Sequence, residues 1–484
     1  MKKIISKIIS AILLCSFVLS SLASCSLFTG SEATSLTLDQ SKVTIRVGET
    51  VTIIAKTDNE NAQITWSSDA THIAKVNGGV ITAVSEGEAI ITAKAGDQRA
   101  YCKVVVKPAP QDLFVEGSIA EVYSDYFLVG TAVKSTHLES GRYGDLIKHF
   151  NSITPVVNMK WRNLEAVKGS LNFDQDDDSA DDLVAWAKAN NVAVRGHTLL
   201  WYKALPLWLH EEFKDKEYSE QVSAEAISLI EEHVELVMEH FGDDVYVWDV
   251  VNEAISNYIK QSDLVTSAEN PYGNIWRTSA DEDDGMEAHE TDWVDWYKVT
   301  GGYEYIAKAF IKAGEVREEN NLSVELFYND YGLYKPTKRQ AALNLVQMLR
   351  DNDAPIDGIG MQAHVKLKEY TEDKVGFLKN FEDSIKAFID AGLDVQITEL
   401  DIRHDAVYSA KNEADQAELY GEIFRICRKY AKTGDMEHGV TCVSTWGPYD
   451  GFAGVETGED SNKYIFGPDK TLKEAYFAIV RFED

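Results

Sequence analysis

Between residues 127 and 446 the chain repeats one alternation: a short, β-branched apolar run, then a longer stretch of helical character. The apolar runs fall at 127–132, 153–157, 192–196, 245–251, 323–328, 358–361, 394–398 and 441–446. Continuous apolar runs of this length read as strands buried on both faces, as in a parallel sheet. The stretches between them are amphipathic. From Glu225 to Phe241, Ile227, Leu229, Ile230, Val234, Leu236 and Val237 form one apolar side. Eight such strand–helix repeats predict the α/β class and a (β/α)8 TIM barrel. That fold places functional residues at the C-terminal ends of its strands.

Two of the strands end in a glutamate: Val247-Trp248-Asp249-Val250-Val251-Asn252-Glu253 and Gln396-Ile397-Thr398-Glu399-Leu400-Asp401. Packing explains such a carboxylate poorly, because unpaired burial is costly. Two of them suggest a pair facing one site, as hydrolysis of a glycosidic bond requires. The other strands run into polar and aromatic residues. Asn158-Met159-Lys160-Trp161 follows the second and Arg195-Gly196-His197-Thr198-Leu199-Leu200-Trp201 the third. Tyr328-Asn329-Asp330-Tyr331, Met361-Gln362-Ala363-His364 and Thr445-Trp446-Gly447 follow the fifth, sixth and eighth.

Upstream, the texture changes. Lys2, Lys3 and Lys7 precede an apolar stretch from Ile8 to Leu19 and then Leu22-Ala23-Ser24-Cys25. This reads as a processing segment, and the tetrad resembles a bacterial lipobox. The expectation is a lipoprotein signal peptide at 1–24, lipid on Cys25, a tether at 25–34 and a cell surface location. An ordinary signal peptide with an incidental Cys25 is the plainer alternative. Residues 35–107 alternate with period two between Gly and Asn-Gly turns, which predicts short antiparallel strands in a small all-β sandwich. Pro108-Ala109-Pro110 is a stiff linker to a catalytic domain at 111–484.

With 47 Lys and Arg against 79 Asp and Glu, the net charge is -32, which argues against nucleic acid as a partner. Of the five cysteines, Cys15 leaves with the signal and Cys25 carries lipid; Cys102, Cys427 and Cys442 have no ligand-like spacing. No metal or other cofactor is expected. A Cys427–Cys442 bridge is left open.

Two resemblances sharpen this reading. Val47-Gly48-Glu49-Thr50-Val51, Ile64-Thr65-Trp66-Ser67-Ser68 and Gly87-Glu88-Ala89-Ile90-Ile91-Thr92-Ala93 resemble the bacterial Ig-like domains of group 2. This implies a spacer whose Trp66 fills the core, with direct glycan binding as the alternative. Residues 112–482 resemble glycoside hydrolase family 10, best known for endo-β-1,4-xylanases. The resemblance is carried by Ser152-Ile153-Thr154-Pro155, Trp248-Asp249-Val250-Val251-Asn252-Glu253-Ala254, Gly358-Ile359-Gly360-Met361-Gln362-Ala363-His364 and the other strand-end motifs, in family order.

The resemblance implies Glu253 as general acid/base and Glu399 as nucleophile of a retaining endo-xylanase. It implies Asn252 as a ligand of the sugar 2-hydroxyl, and His364 with Asp401 behind it as the pair that orients the nucleophile. Lys160, His197, Gln362, Trp201, Tyr331 and Trp446 are then substrate contacts. Trp161 and Trp248 read equally as packing. The substrate is xylan or a related β-1,4-linked plant polysaccharide, and the enzyme is expected to be a monomer.

The chain departs from the family pattern. Val156 and Val157 stand where Glu-Asn usually binds an upstream sugar, Tyr202 replaces a second histidine, and Gly454 sits where a tryptophan normally lids the site. An insertion between Tyr258 and Trp293, with Tyr272 and Trp276, either rebuilds the cleft or is a surface loop. These differences keep two alternatives in view: an endo-glycanase of altered specificity on another β-1,4-glycan or a decorated xylan, and a non-catalytic surface glycan-binding lipoprotein.

Overall fold

The computed structural model describes residues 35–59, 62–107, 118–175, 179–281, 293–404, 409–452 and 462–481. The signal, Cys25, the tether, the 108–110 linker, Gly454 and the 282–292 part of the insertion lie outside the described residues. The chain divides into two compact units, Met1–Pro110 and Gln111–Asp484.

The first unit is all-β. One sheet orders Lys42–Arg46, Gln98–Lys107, Gly87–Ala95 and Thr65–Ser68; a second orders Thr50–Thr52, Val80–Ala83 and Ala74–Asn77. The pairing is not wholly antiparallel as expected. Lys42–Arg46 runs parallel to Gln98–Lys107, while the remaining pairs are antiparallel. Ile81, Ile91, Cys102 and Val104 are buried between the sheets, and the half-buried Trp66 packs against them.

In the second unit eight parallel strands close into a barrel. They are β1 (Leu128–Val133), β2 (Ser152–Pro155), β3 (Ala193–Gly196), β4 (Val247–Asn252), β5 (Glu325–Asp330), β6 (Gly358–Met361), β7 (Asp394–Arg403) and β8 (Val440–Thr445). Each pairs with the next, and β8 pairs with β1. All of β4 is buried, its four apolar residues in a wall covered on both faces and Asp249 and Asn252 held by hydrogen bonds. A two-sided barrel wall needs small residues at tight points. A Cβ on Gly196 would stand 2.2 Å from the Trp248 ring, and one on Gly358 2.2 Å from Phe327. Trp248 is therefore a packing residue.

The helix from Glu220 to Phe241 buries Ile230, Val234, Val237 and Met238, but Leu236 faces outward, against expectation. His233 takes an inward position instead and stacks on Trp161 at 4.0 Å, which makes Trp161 packing as well. Cys102, Cys427 and Cys442 are buried free thiols, so Cys427 and Cys442 are not bridged. Among the described residues no helix is long and apolar enough to cross a membrane, and no group of three His, Cys, Asp or Glu could hold a metal ion.

Candidate active site

β5 and β6 stand between β4 and β7, and residues at their C-terminal ends bridge the two glutamates. The Asn329 side-chain nitrogen donates to Glu399 Oε1 at 2.9 Å and lies 2.9 Å from the Asn252 amide. The Gln362 nitrogen donates to Glu253 Oε1 at 2.9 Å and lies 3.2 Å from the same Asn252 amide. Glu399, Asn329, Asn252, Gln362 and Glu253 thus form one chain of contacts across the barrel mouth. Asn329 is fully buried, and Thr398 Oγ1 donates to its oxygen at 2.7 Å, which fixes which way its amide points.

Glu399 is nearly buried and meets His364 Nε2 at 3.1 Å through its other oxygen. His364 reaches Asp401 with Nδ1 at 3.0 Å, and Lys463 Nζ lies 3.3 Å from that same Asp401 oxygen. Burial works against charge on all three groups, but the pairing prevails. Burial would raise the Glu399 carboxyl; the His364 hydrogen bond, the charges of His197 and His364 and the Asn329 hydrogen bond hold it below its ordinary value. His364, which burial would lower, is raised to about 10 by Asp401 and Glu399. Asp401 is brought down to about 2, with burial outweighed by His364, Lys463 and Arg403. The site therefore holds an ionised carboxylate beside an imidazolium at neutral pH.

Glu253 stands just past β4 with a left-handed backbone (φ 57°), which non-glycine residues rarely adopt. Its N–H donates to the Asn329 carbonyl at 2.9 Å. Trp201 Nε1 donates to its Oε2 at 3.0 Å. Its two oxygens are thus held by Gln362 and Trp201, one from each side. Lys160 Nζ sits 4.8 Å over the Trp201 ring. Trp446, half-buried, meets His197 and His364 edge-on at 5.4 and 6.3 Å.

His197 is buried, its Nδ1 2.9 Å from Asp249. Asp249 also receives Arg195, whose Nη2 donates to it at 2.5 Å. Burial would raise the Asp249 carboxyl, but the Arg195 guanidinium and the His197 hydrogen bond keep it low. Tyr331 joins the loop after β4. Its hydroxyl is bonded to Asn257 and, at 3.0 Å, to Arg277.

The structure thus gathers Asn252, Glu253, Gln362, His364, Glu399, Asp401, Trp201, Lys160, His197 and Trp446 around one mouth. Sequence reasoning passed over Asn329, Asp249 and Arg277. A buried Asp within β4 and an Asn at the end of β5 were visible as polar breaks in apolar runs. Arg277 carried no such signal.

A cavity of about 250 Å³ opens beside Glu253, lined among others by Lys160, Trp201, Tyr202, Arg277 and Trp293. Tyr272 and Trp276 do not line it. They pack against Tyr303, with Trp276 stacked on that ring at 4.6 Å.

The model of glycosyl hydrolase family 10 matches residues 118–482, and that of the bacterial Ig-like domain (group 2) matches 32–104. A β-1,4-xylanase of Dictyoglomus thermophilum is 35% identical over 382 residues, covering 75% of this chain and 91% of the relative. Endo-1,4-β-xylanase A of Caldicellulosiruptor saccharolyticus is 30% identical over 378 residues, covering 75% and 96%. The crystal structure of an endo-1,4-β-xylanase from Caldicellulosiruptor owensensis superposes with a TM-score of 0.59 at 29% identity, covering 75% of this chain and 99% of that one.

Proposed function

We infer that this chain, which belongs to glycosyl hydrolase family 10, hydrolyses internal β-1,4-xylosidic bonds of xylan with retention at the anomeric carbon. One observation carries the mechanism: two carboxylates joined through Asn329, Asn252 and Gln362, one of them paired with a protonated histidine. Glu399, kept ionised, attacks the anomeric carbon and forms a glycosyl ester. Glu253 gives its proton to the departing oxygen, then takes one from the water that cleaves the ester. Retaining enzymes of this kind hold their carboxyls about 5–5.5 Å apart, so that one can reach carbon directly.

In this reading Asn252 bonds the sugar 2-hydroxyl, where contacts strengthen as positive charge develops on the ring. Lys160, His197 and Gln362 hold the sugar beside the cleavage point, and Trp201, Tyr331 and Trp446 offer it aromatic surface. His364 and Asp401 orient Glu399. Val156 and Val157 supply only apolar surface at the usual polar positions, which favours altered recognition of the upstream sugar.

The test is reducing-sugar release from xylan, glucuronoxylan, arabinoxylan and cellulose, with Glu399→Ala as the control. The wild type is expected to act on a xylan, and the variant to lose at least about a thousandfold, as loss of a covalent nucleophile entails. Binding without release from any β-1,4-glycan would sink the enzyme reading in favour of a glycan-binding surface protein.

The same reading puts the enzyme outside the cell as a monomer, anchored by lipid on Cys25 and spaced from the surface by the Ig-like unit. Its support is the basic, apolar and Leu22-Ala23-Ser24-Cys25 order of the N-terminus. Cys25→Ala is expected to move xylanase activity from the membrane fraction to the soluble fraction. Unchanged fractionation would refute the anchor.

A further inference from the structure

We propose that Arg277 is a positioning residue for the acid/base: its guanidinium clamps the backbone at Glu253 and just after it, and sets where that carboxyl meets the leaving oxygen. The proposal rests on the xylanase reading above. Arg277 Nε donates to the Glu253 carbonyl at 2.6 Å, and Nη2 donates to the Ile255 carbonyl at 3.2 Å. Its own N–H donates to the Ala254 carbonyl at 2.9 Å, so three consecutive carbonyls after β4 answer to one residue. Nη2 also reaches Asn257 Oδ1 at 2.7 Å and the Tyr331 hydroxyl at 3.0 Å. The guanidinium face lies 4.4 Å over the ring of Tyr202.

The charge itself is informative. Arg277 is only 6% exposed, and its side chain bonds to carbonyls, an amide and a hydroxyl. The Glu253 and Asp330 carboxylates act on the guanidinium at longer range and offset part of the cost of burying it. What the fork does offer is several donors in a fixed plane, which can pin more than one carbonyl at once. The pinned residue is the one that needs it. Glu253 has a left-handed backbone, and its side-chain direction is set by that backbone.

The arm that presents Arg277 is itself built in. Ser256 N–H donates to the Ile275 carbonyl at 2.8 Å, and Ile255 bridges Trp276 in antiparallel fashion. Asp281 accepts Ser256 Oγ at 2.5 Å, Asn257 N–H at 3.1 Å and Thr278 N–H at 3.0 Å. Part of what reads as an insertion is therefore a brace for the loop after β4.

The full chain carrying Arg277→Met, and separately Arg277→Lys, tests this on two substrates. Xylan has a poor leaving group and needs the acid. A 2,4-dinitrophenyl β-xylobioside leaves without protonation. On xylan both variants are expected to lose kcat/KM, Arg277→Met by about a hundredfold, the lower range of what general acid catalysis contributes. On the dinitrophenyl substrate kcat/KM should stay within a few-fold of wild type, as should that of Glu253→Gln. Equal losses on both substrates, or no loss on xylan, would overturn the clamp. If Arg277→Met fails to fold, Arg277→Lys carries the same comparison. A wild type inert on both substrates would overturn the xylanase reading itself, and this proposal with it.

Discussion

His364 shows how much of a site can rest on one ring. It touches Glu399 with one nitrogen and Asp401 with the other, and stays cationic far above the usual imidazole range. A cation there helps to hold the Glu399 carboxyl ionised. The sign of the linkage follows. An imidazole held at about 10 when folded, against about 6.5 when unfolded, stabilises fully below pH 6.5 and loses that contribution as pH rises toward 10. Wild type should therefore lose at least roughly 1.4 kcal/mol between pH 6.5 and 9.5, one pKa unit's worth. His364→Gln, which cannot titrate, should be less stable at pH 6.5 and lose clearly less than wild type across that window. Urea midpoints at the two pH values measure it; parallel slopes for the two proteins would refute the account. The positions of these residues were readable because polar side chains at strand ends stand out from the apolar runs before them. The exception is Asn329, which looks like a neighbour of Tyr331 in sequence and proves to be the bond between β4 and β7.

At the scale of elements, the barrel was legible because a strand buried on both faces leaves a largely apolar run. Seven observed strands end within two residues of where the runs end. β7 is the outlier: it continues to Arg403, because Asp401, Ile402 and Arg403 pair with the short strand His364–Lys366. That pairing also sets His364 directly beside Asp401. Gly360 was visible only as a glycine. In the fold a Cβ there would stand 2.3 Å from Asn329 Oδ1, so its bareness is what lets the bridging amide lie flat between the glutamates. Helical faces were less legible, since Leu236 fits an apolar stripe by spacing yet is 40% exposed, while His233 is buried by stacking on Trp161. The least legible element was the 259–281 stretch. Its antiparallel return onto 254–257 depends on long-range contacts that leave no period in the sequence, and its aromatics face Tyr303 rather than the cavity.

Across the catalytic unit, function and stability occupy opposite ends of the same strands. β5 carries Asn329 at its active end and Glu325 at the other, four residues or roughly 13 Å away at strand rise. Glu325 is raised to about 7, first by burial and then by the charge of Asp394, with Lys432 and Arg317 only partly compensating. Asp394 and Asp357 already take the nearby cations: Lys432 Nζ lies 2.6 Å from Asp394, and Arg317 Nη1 lies 2.5 Å from Asp357. Among the described residues, the cations nearest Glu325 are thus bound first to other carboxylates. A carboxyl raised from about 4.5 to about 7 favours the folded state most below pH 4.5 and penalises it increasingly as pH rises through 7. Glutamine keeps the shape and cannot ionise. Glu325→Gln should therefore be about 1–2 kcal/mol more stable than wild type at pH 8 and gain nothing at pH 4.5, a discounted share of the full linkage for a partly hydrated group. Because the site lies at the far end of the strand, kcat on xylan at pH 6 should be unchanged. Denaturant melts at both pH values decide it. A gain of equal size at pH 4.5 would mean that the glutamine packs better, and that ionisation at this end of the barrel does not limit its stability.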